Sequence, residues 1–118
     1  MCEIELCSEK ALVEGQATGF DPFDEGHDTV FALLHEKEVR VYRNVCPHLL
    51  VAMEYRKDKF MSADGQWVVC YAHGARFRPL DGMCVYGPCL GLSLERIASR
   101  LVDGRLMISI EDASEVEF

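Results

Sequence analysis

Apolar and polar positions alternate along this chain with a period near two, in short runs closed by Gly, Pro, Asp and Asn. That is the pattern of short strands and tight turns. Ile4 and Leu6 share one side of an edge strand within Met1–Cys7. Ser8–Asp28 is interrupted by Gly15, Gly19, Pro22 and Gly26 and reads as loop with a short strand. Thr29–His35 and Val39–Arg43 flank Glu36-Lys37 and predict a β-hairpin. Asn44–His48 leaves it as a loop, and Asp64-Gly65 marks a turn in the polar stretch that follows. Trp67–Tyr71 is a strand running into His73-Gly74. A second hairpin joins Ala75–Arg78 to Met83–Tyr86 through Pro79-Leu80-Asp81-Gly82, and Gly87-Pro88 is a bend. The last hairpin joins Leu92–Val102 to Arg105–Ile110 through Asp103-Gly104, although Leu94–Leu101 also has helical propensity. The acidic tail Glu111–Phe118 is expected to fray. Strands separated by Gly and Pro turns predict an all-β sandwich or barrel.

Length and charge narrow the picture. The 118 residues support one core, so a single domain spanning 1–118 is expected and two catalytic domains do not fit. Twelve Lys plus Arg against 20 Asp plus Glu give a net charge of −8, the wrong sign for a phosphate backbone or an anionic lipid surface. Neither nucleic acid nor membrane is an expected partner. The N-terminus lacks a secretory pattern and no apolar run is long enough for a membrane span, so a cytoplasmic location is expected. In that reducing compartment, the six cysteines point to metal or redox chemistry rather than to disulfides.

Spacing selects among them. Cys46-Pro47-His48 is followed, after 21 intervening residues, by Cys70-Tyr71-Ala72-His73. Each pair stands where a predicted strand gives way to loop, so backbone can fold around an ion. Two Cys and two His also suit tetrahedral zinc, but the usual zinc finger puts both cysteines in one pair and both histidines in the other. One Cys and one His from each loop suits a binuclear iron centre.

With Cys46-Pro47-His48 and the run Cys70-Tyr71-Ala72-His73-Gly74-Ala75-Arg76-Phe77, followed by Asp81-Gly82 and Gly87-Pro88, the chain resembles the Rieske 2Fe-2S proteins from about Val39 to Ile110. The resemblance implies an antiparallel β-sandwich or barrel. Its small cluster-binding lobe, about residues 44–90, would comprise two ligand loops and a Gly-Pro covering loop, on a basal β-domain from the flanking segments. It implies one 2Fe-2S cluster, with Cys46 and Cys70 on the inner iron and His48 and His73 on the outer one. Two ferric ions, two sulfides and two thiolates then sum to zero charge, and reduction adds one negative charge.

Departures from the family refine this expectation. High-potential members join an extra cysteine from each box in a disulfide, whereas Val51 and Ala72 stand there in this chain. Those members also donate hydrogen bonds to sulfur from Ser and Tyr, at the positions of Ala75 and Phe77. Fewer donors leave the reduced cluster less stabilised, so the potential should lie toward the low end of about −150 to +300 mV. Leu50 replaces a usual Gly, which implies a changed first loop.

Cys84 and Cys89 could form a local disulfide, but buried thiols in a reducing compartment are the favoured expectation. Cys2 and Cys7 are incidental, His27 and His35 are expected at the surface, and Trp67, Tyr71 and Phe77 are expected to pack the lobe. No Gly-rich dinucleotide motif is present, and His27 and His35 cannot furnish the mononuclear iron site of an oxygenase. The expected function is therefore a soluble one-electron carrier, a ferredoxin without its own catalytic site. It would pass electrons from a flavin reductase to a terminal oxygenase or another redox enzyme through basic docking surfaces, with association weakening as salt rises. The alternatives are a regulatory subunit like the small subunit of nitrite reductases, or a structural zinc module.

Overall fold

The structure, a computed structural model, describes residues 3–47, 57–71 and 74–110. These residues form strands β1 (Glu3–Ser8), β2 (Ala17–Phe20), β3 (Val30–His35), β4 (Glu38–Arg43), β5 (Val68–Cys70), β6 (Ala75–Phe77), β7 (Cys84–Tyr86), β8 (Ser99–Val102) and β9 (Arg105–Ser109), with one 3-10 turn at Glu9–Ala11. Three antiparallel sheets result, ordered β1-β9-β8, β2-β3-β4 and β5-β6-β7. The all-β expectation holds. Among the described residues no helix is long and apolar enough to cross a membrane.

The β2-β3-β4 sheet is the middle layer, for a reason visible in its pleat. Successive side chains of a strand point to opposite faces. Phe31 and Leu33 of β3, with Tyr42 of β4, enter a core shared with Phe60, Val68 and Phe77. Val30, Ala32 and Val41 enter a second core with Leu106 and Ile108 of β9. Both faces are covered, so Thr29–His35 reads as an unbroken apolar run. In the first core the Phe31 and Phe60 rings stack with centroids 4.3 Å apart.

The same burial corrects the expectation for His35. It is only 9% exposed at the end of β3, and its Nδ1 is buried without a hydrogen-bond partner among the described residues. The β2 pairing stops at Leu33, but the segment before β2 continues alongside through the bonds of Gly15 and Gln16 to Leu34, while His35 itself pairs with Glu38 of β4, so the end of β3 stays covered. His27 is exposed, as expected.

The predicted hairpins form. Glu36 and Lys37 both adopt left-handed backbone, with φ of 51° and 66°, the twist that a two-residue hairpin requires. The Glu14 carboxylate accepts from the N–H groups of both, and these bonds, led by that from Lys37, hold it below its ordinary range. One predicted strand divides in two. Only Ser99–Val102 of the Leu92–Val102 run pairs with β9. Before it, Leu92–Leu94 bonds to Gly82–Cys84 and Glu95–Ile97 runs along β4, with Ile97 N–H donating to Val41 O and Arg43 N–H to Glu95 O, each at 2.9 Å. Each part is extended because it serves a different neighbour, which overrides the helical propensity of Leu94–Leu101.

Two side chains of β4 tie the middle layer to the β6–β7 turn. The Tyr42 hydroxyl donates to Pro79 O at 2.7 Å, and Arg40 Nε donates to Leu80 O at 2.9 Å. Burial pushes the Tyr42 phenol up to about 12. An unfolded tyrosine ionises near pH 10, so between pH of about 10 and about 12 the folded chain keeps a proton that the unfolded chain has lost. The contribution is intact below about pH 10 and disappears as pH rises through about 12. Denaturation midpoints measured across that window should fall in the parent and fall less in Tyr42→Phe. At neutral pH that variant should be about 1–2 kcal/mol less stable, because Pro79 O loses its donor.

Candidate metal centre

The second loop is set by the β5–β6 hairpin. Cys70 closes β5 and stands opposite Ala75, the first residue of β6. Gly74 N–H donates to Cys70 O at 2.7 Å, and Gly74 takes a left-handed φ of 74°. The backbone is thereby returned within a few residues, and Cys70 is fully buried.

The first loop leaves β4 and is pinned at once. Asn44 N–H donates to Thr29 O and its side-chain Nδ2 to Asp28 O, both at 2.9 Å. Cys46 follows two residues later and is also fully buried. Cys46 and Cys70 belong to one apolar core although 24 positions separate them in sequence.

A third loop lies against Ala75 and Cys46. Gly87 has a φ of 97°, and a Cβ there would stand 2.9 Å from Ala75 Cα, so the covering loop rests on the backbone where β6 begins. Leu92 N–H donates to Cys89 O at 2.8 Å and closes the loop behind the bend. Cys89 is fully buried, with its Sγ 3.7 Å from Cys46 Sγ. Cys84 is buried too, but its thiol donates to Tyr86 O at 3.3 Å. None of the five described cysteines is in a disulfide.

His48 and His73, with Leu50, Val51 and Ala72, lie outside the described residues. Among the described residues no group of three or more metal-ligating side chains gathers. The described half of the candidate donor set fits a soft metal: two fully buried cysteines from different loops, with a third loop against Cys46, in one apolar core. Phe77 is fully buried and packs that core. Trp67 is half-buried. Tyr71, also expected to pack the lobe, is instead 36% exposed, with its hydroxyl donating to Met61 O. It follows Cys70 in the bend, where the strand's alternation turns it outward.

The approach of Cys89 to Cys46 was not legible in the sequence. Its only sign was a cysteine directly after the Gly-Pro bend, and nothing in that position names a partner 43 residues away.

Residues 2–97 match the Rieske [2Fe-2S] domain, and the chain belongs to that family. Among curated proteins, no significant match exists. Solved structures of the same fold include the Sphingomonas yanoikuyae B1 ferredoxin, at 20% identity and a TM-score of 0.70, covering 91% of this chain and 97% of that one. The ferredoxin of carbazole 1,9a-dioxygenase from Nocardioides aromaticivorans IC177 has 19% identity and a TM-score of 0.70, with 92% and 98% covered. The terminal oxygenase of carbazole 1,9a-dioxygenase from Novosphingobium sp. KA1 has 17% identity and a TM-score of 0.73, covering 90% of this chain but 29% of the oxygenase. The fold is thus shared by free-standing ferredoxins and by one portion of a larger oxygenase.

Proposed function

We propose that this chain is a soluble, cytoplasmic one-electron carrier that holds a Rieske-type 2Fe-2S cluster through Cys46, His48, Cys70 and His73 and has no catalytic site of its own. The observation that carries the reading is that Cys46 and Cys70 are both fully buried in one apolar core, with Cys89 of the Gly-Pro loop 3.7 Å from Cys46 Sγ and Gly87 seated against Ala75. The fold shared with two ferredoxins supports the carrier reading. When bound, the cluster would take up and release one electron.

The chain's own residues set the terms of that exchange. The two cysteines are fully buried, so the electron's route to a partner is assigned to His48 and His73, the outer-iron ligands that the family resemblance implies. Tyr86 and Leu90 are 65% and 67% exposed on either side of Gly87-Pro88, an apolar rim for a docked protein. The net charge of −8 favours partners with basic docking surfaces, among them a flavin reductase on one side and a terminal oxygenase or other redox enzyme on the other.

Visible absorption, electron paramagnetic resonance and metal analysis of anaerobically purified protein test the reading. Iron and acid-labile sulfide in equal amounts, with a signal that appears on reduction, are expected. A colourless protein that takes up zinc and gives no reducible signal after reconstitution would overturn it.

A further inference from the structure

The Gly-Pro loop of this chain delivers a third cysteine to the candidate centre. We propose that the Cys89 thiol is a hydrogen-bond donor to the Cys46 sulfur and raises the reduction potential of the cluster that Cys46 ligates. The inference rests on the carrier reading above.

The geometry is specific to Cys89. Its Sγ lies 3.7 Å from Cys46 Sγ, within reach of a sulfur hydrogen bond, and both residues are fully buried, so water does not compete. The covering loop is held in place by the contact of Gly87 with Ala75 and by the Leu92 N–H bond to Cys89 O. Cys84, the other nearby thiol, is turned to the Tyr86 carbonyl.

Metal binding fixes the direction of the bond. A cysteine that ligates iron is a thiolate, with lone pairs and no proton, so between the two sulfurs only Cys89 can donate. Hydrogen bonds to cluster sulfur stabilise the reduced, more negative state and raise the potential. The positions that could otherwise supply hydroxyl donors on β6 hold Ala75 and Phe77, both fully buried and without a side-chain donor. Cys89 is therefore a positioning and tuning residue acting through Cys46, and it partly offsets the low potential expected from those two positions.

The experiment compares reduction potentials of the cluster-loaded parent, Cys89→Ala and Cys89→Ser. Losing the donor should shift the reduced-to-oxidised ratio at a fixed solution potential about three- to tenfold toward the oxidised form in Cys89→Ala, or about 30 to 60 mV for a one-electron couple. Cys89→Ser keeps a donor and should recover at least half of that shift. A ratio unchanged within a factor of two in Cys89→Ala, or a serine variant no different from alanine, overturns the inference. So does failure of both variants to hold a cluster that the parent holds, since Cys89 would then be required for assembly rather than for tuning. A parent without any reducible cluster overturns the carrier reading itself, and this inference with it.

Discussion

Cys70→Ser is expected to give a folded protein with less than about a tenth of the parent's iron-sulfur absorbance. A serine hydroxyl is far less acidic than a thiol and offers a hard oxygen where iron and sulfide favour thiolate, so the change removes a proposed ligand while altering side-chain volume little. The fold should survive because the β5–β6 ladder and the Gly74 N–H bond to Cys70 O run through backbone. The buried hydroxyl in an apolar core costs about 1–3 kcal/mol. Cys84→Ser is the matched control: it sits in the same core, but its thiol faces the Tyr86 carbonyl, which a hydroxyl can equally satisfy. Absorbance per chain, read with a chemical denaturation midpoint for each variant, separates loss of the ligand from loss of the fold. Full absorbance in Cys70→Ser, or equal loss in both variants, would remove Cys70 from the ligand set.

The sequence signalled local pairing better than global placement. Glu36-Lys37, Asp81-Gly82 and Asp103-Gly104 separate runs that fold back on each other, and a hairpin partner is the next run along the chain, so their strands were legible. The pairing of β1 with β9 joins residues about a hundred positions apart, and alternation within Glu3–Ser8 says only that a partner is needed. The Leu92–Val102 run reads as one strand because the Asp103-Gly104 turn that follows it closes a hairpin and no Gly or Pro interrupts it. Its division follows from different neighbours bonding to its parts, Gly82–Cys84 and then β4 to the first and β9 to the second. His35 differs from its expected surface position for a related reason: its charged neighbours suggest a surface turn, whereas its burial depends on the β4 pairing and on the segment running beside Leu34. At the centre, the spacing of Cys46 and Cys70 exposed the candidate ligands because each lies at a strand-to-loop junction. Cys89 escaped because its role depends on where one loop settles over another.

That settling is what Gly87→Ala should disturb, with a loss of about 2–5 kcal/mol in stability and faster release of the cluster. Part of the loss is conformational: a φ of 97° is strained for any residue with a Cβ, at about 1–2 kcal/mol. The remainder is a collision with backbone, since the new methyl would stand 2.9 Å from Ala75 Cα and 3.3 Å from Ala75 N. Ala75 cannot easily retreat, because it is paired with Cys70 and follows the Gly74 turn. The covering loop must therefore lift, at an overpacking cost of about 1–3 kcal/mol, and it carries Cys89 away from Cys46 as it does so. Gly91→Ala isolates the first contribution. Its φ of 91° is nearly the same, but a Cβ there meets nothing within 4 Å, so the expected loss is only about 1–2 kcal/mol with cluster release unchanged. Denaturation midpoints and the decay of visible absorbance under a chelator measure the two quantities independently. Equal losses in the two variants would mean that the contact between Gly87 and Ala75 does not hold the covering loop down.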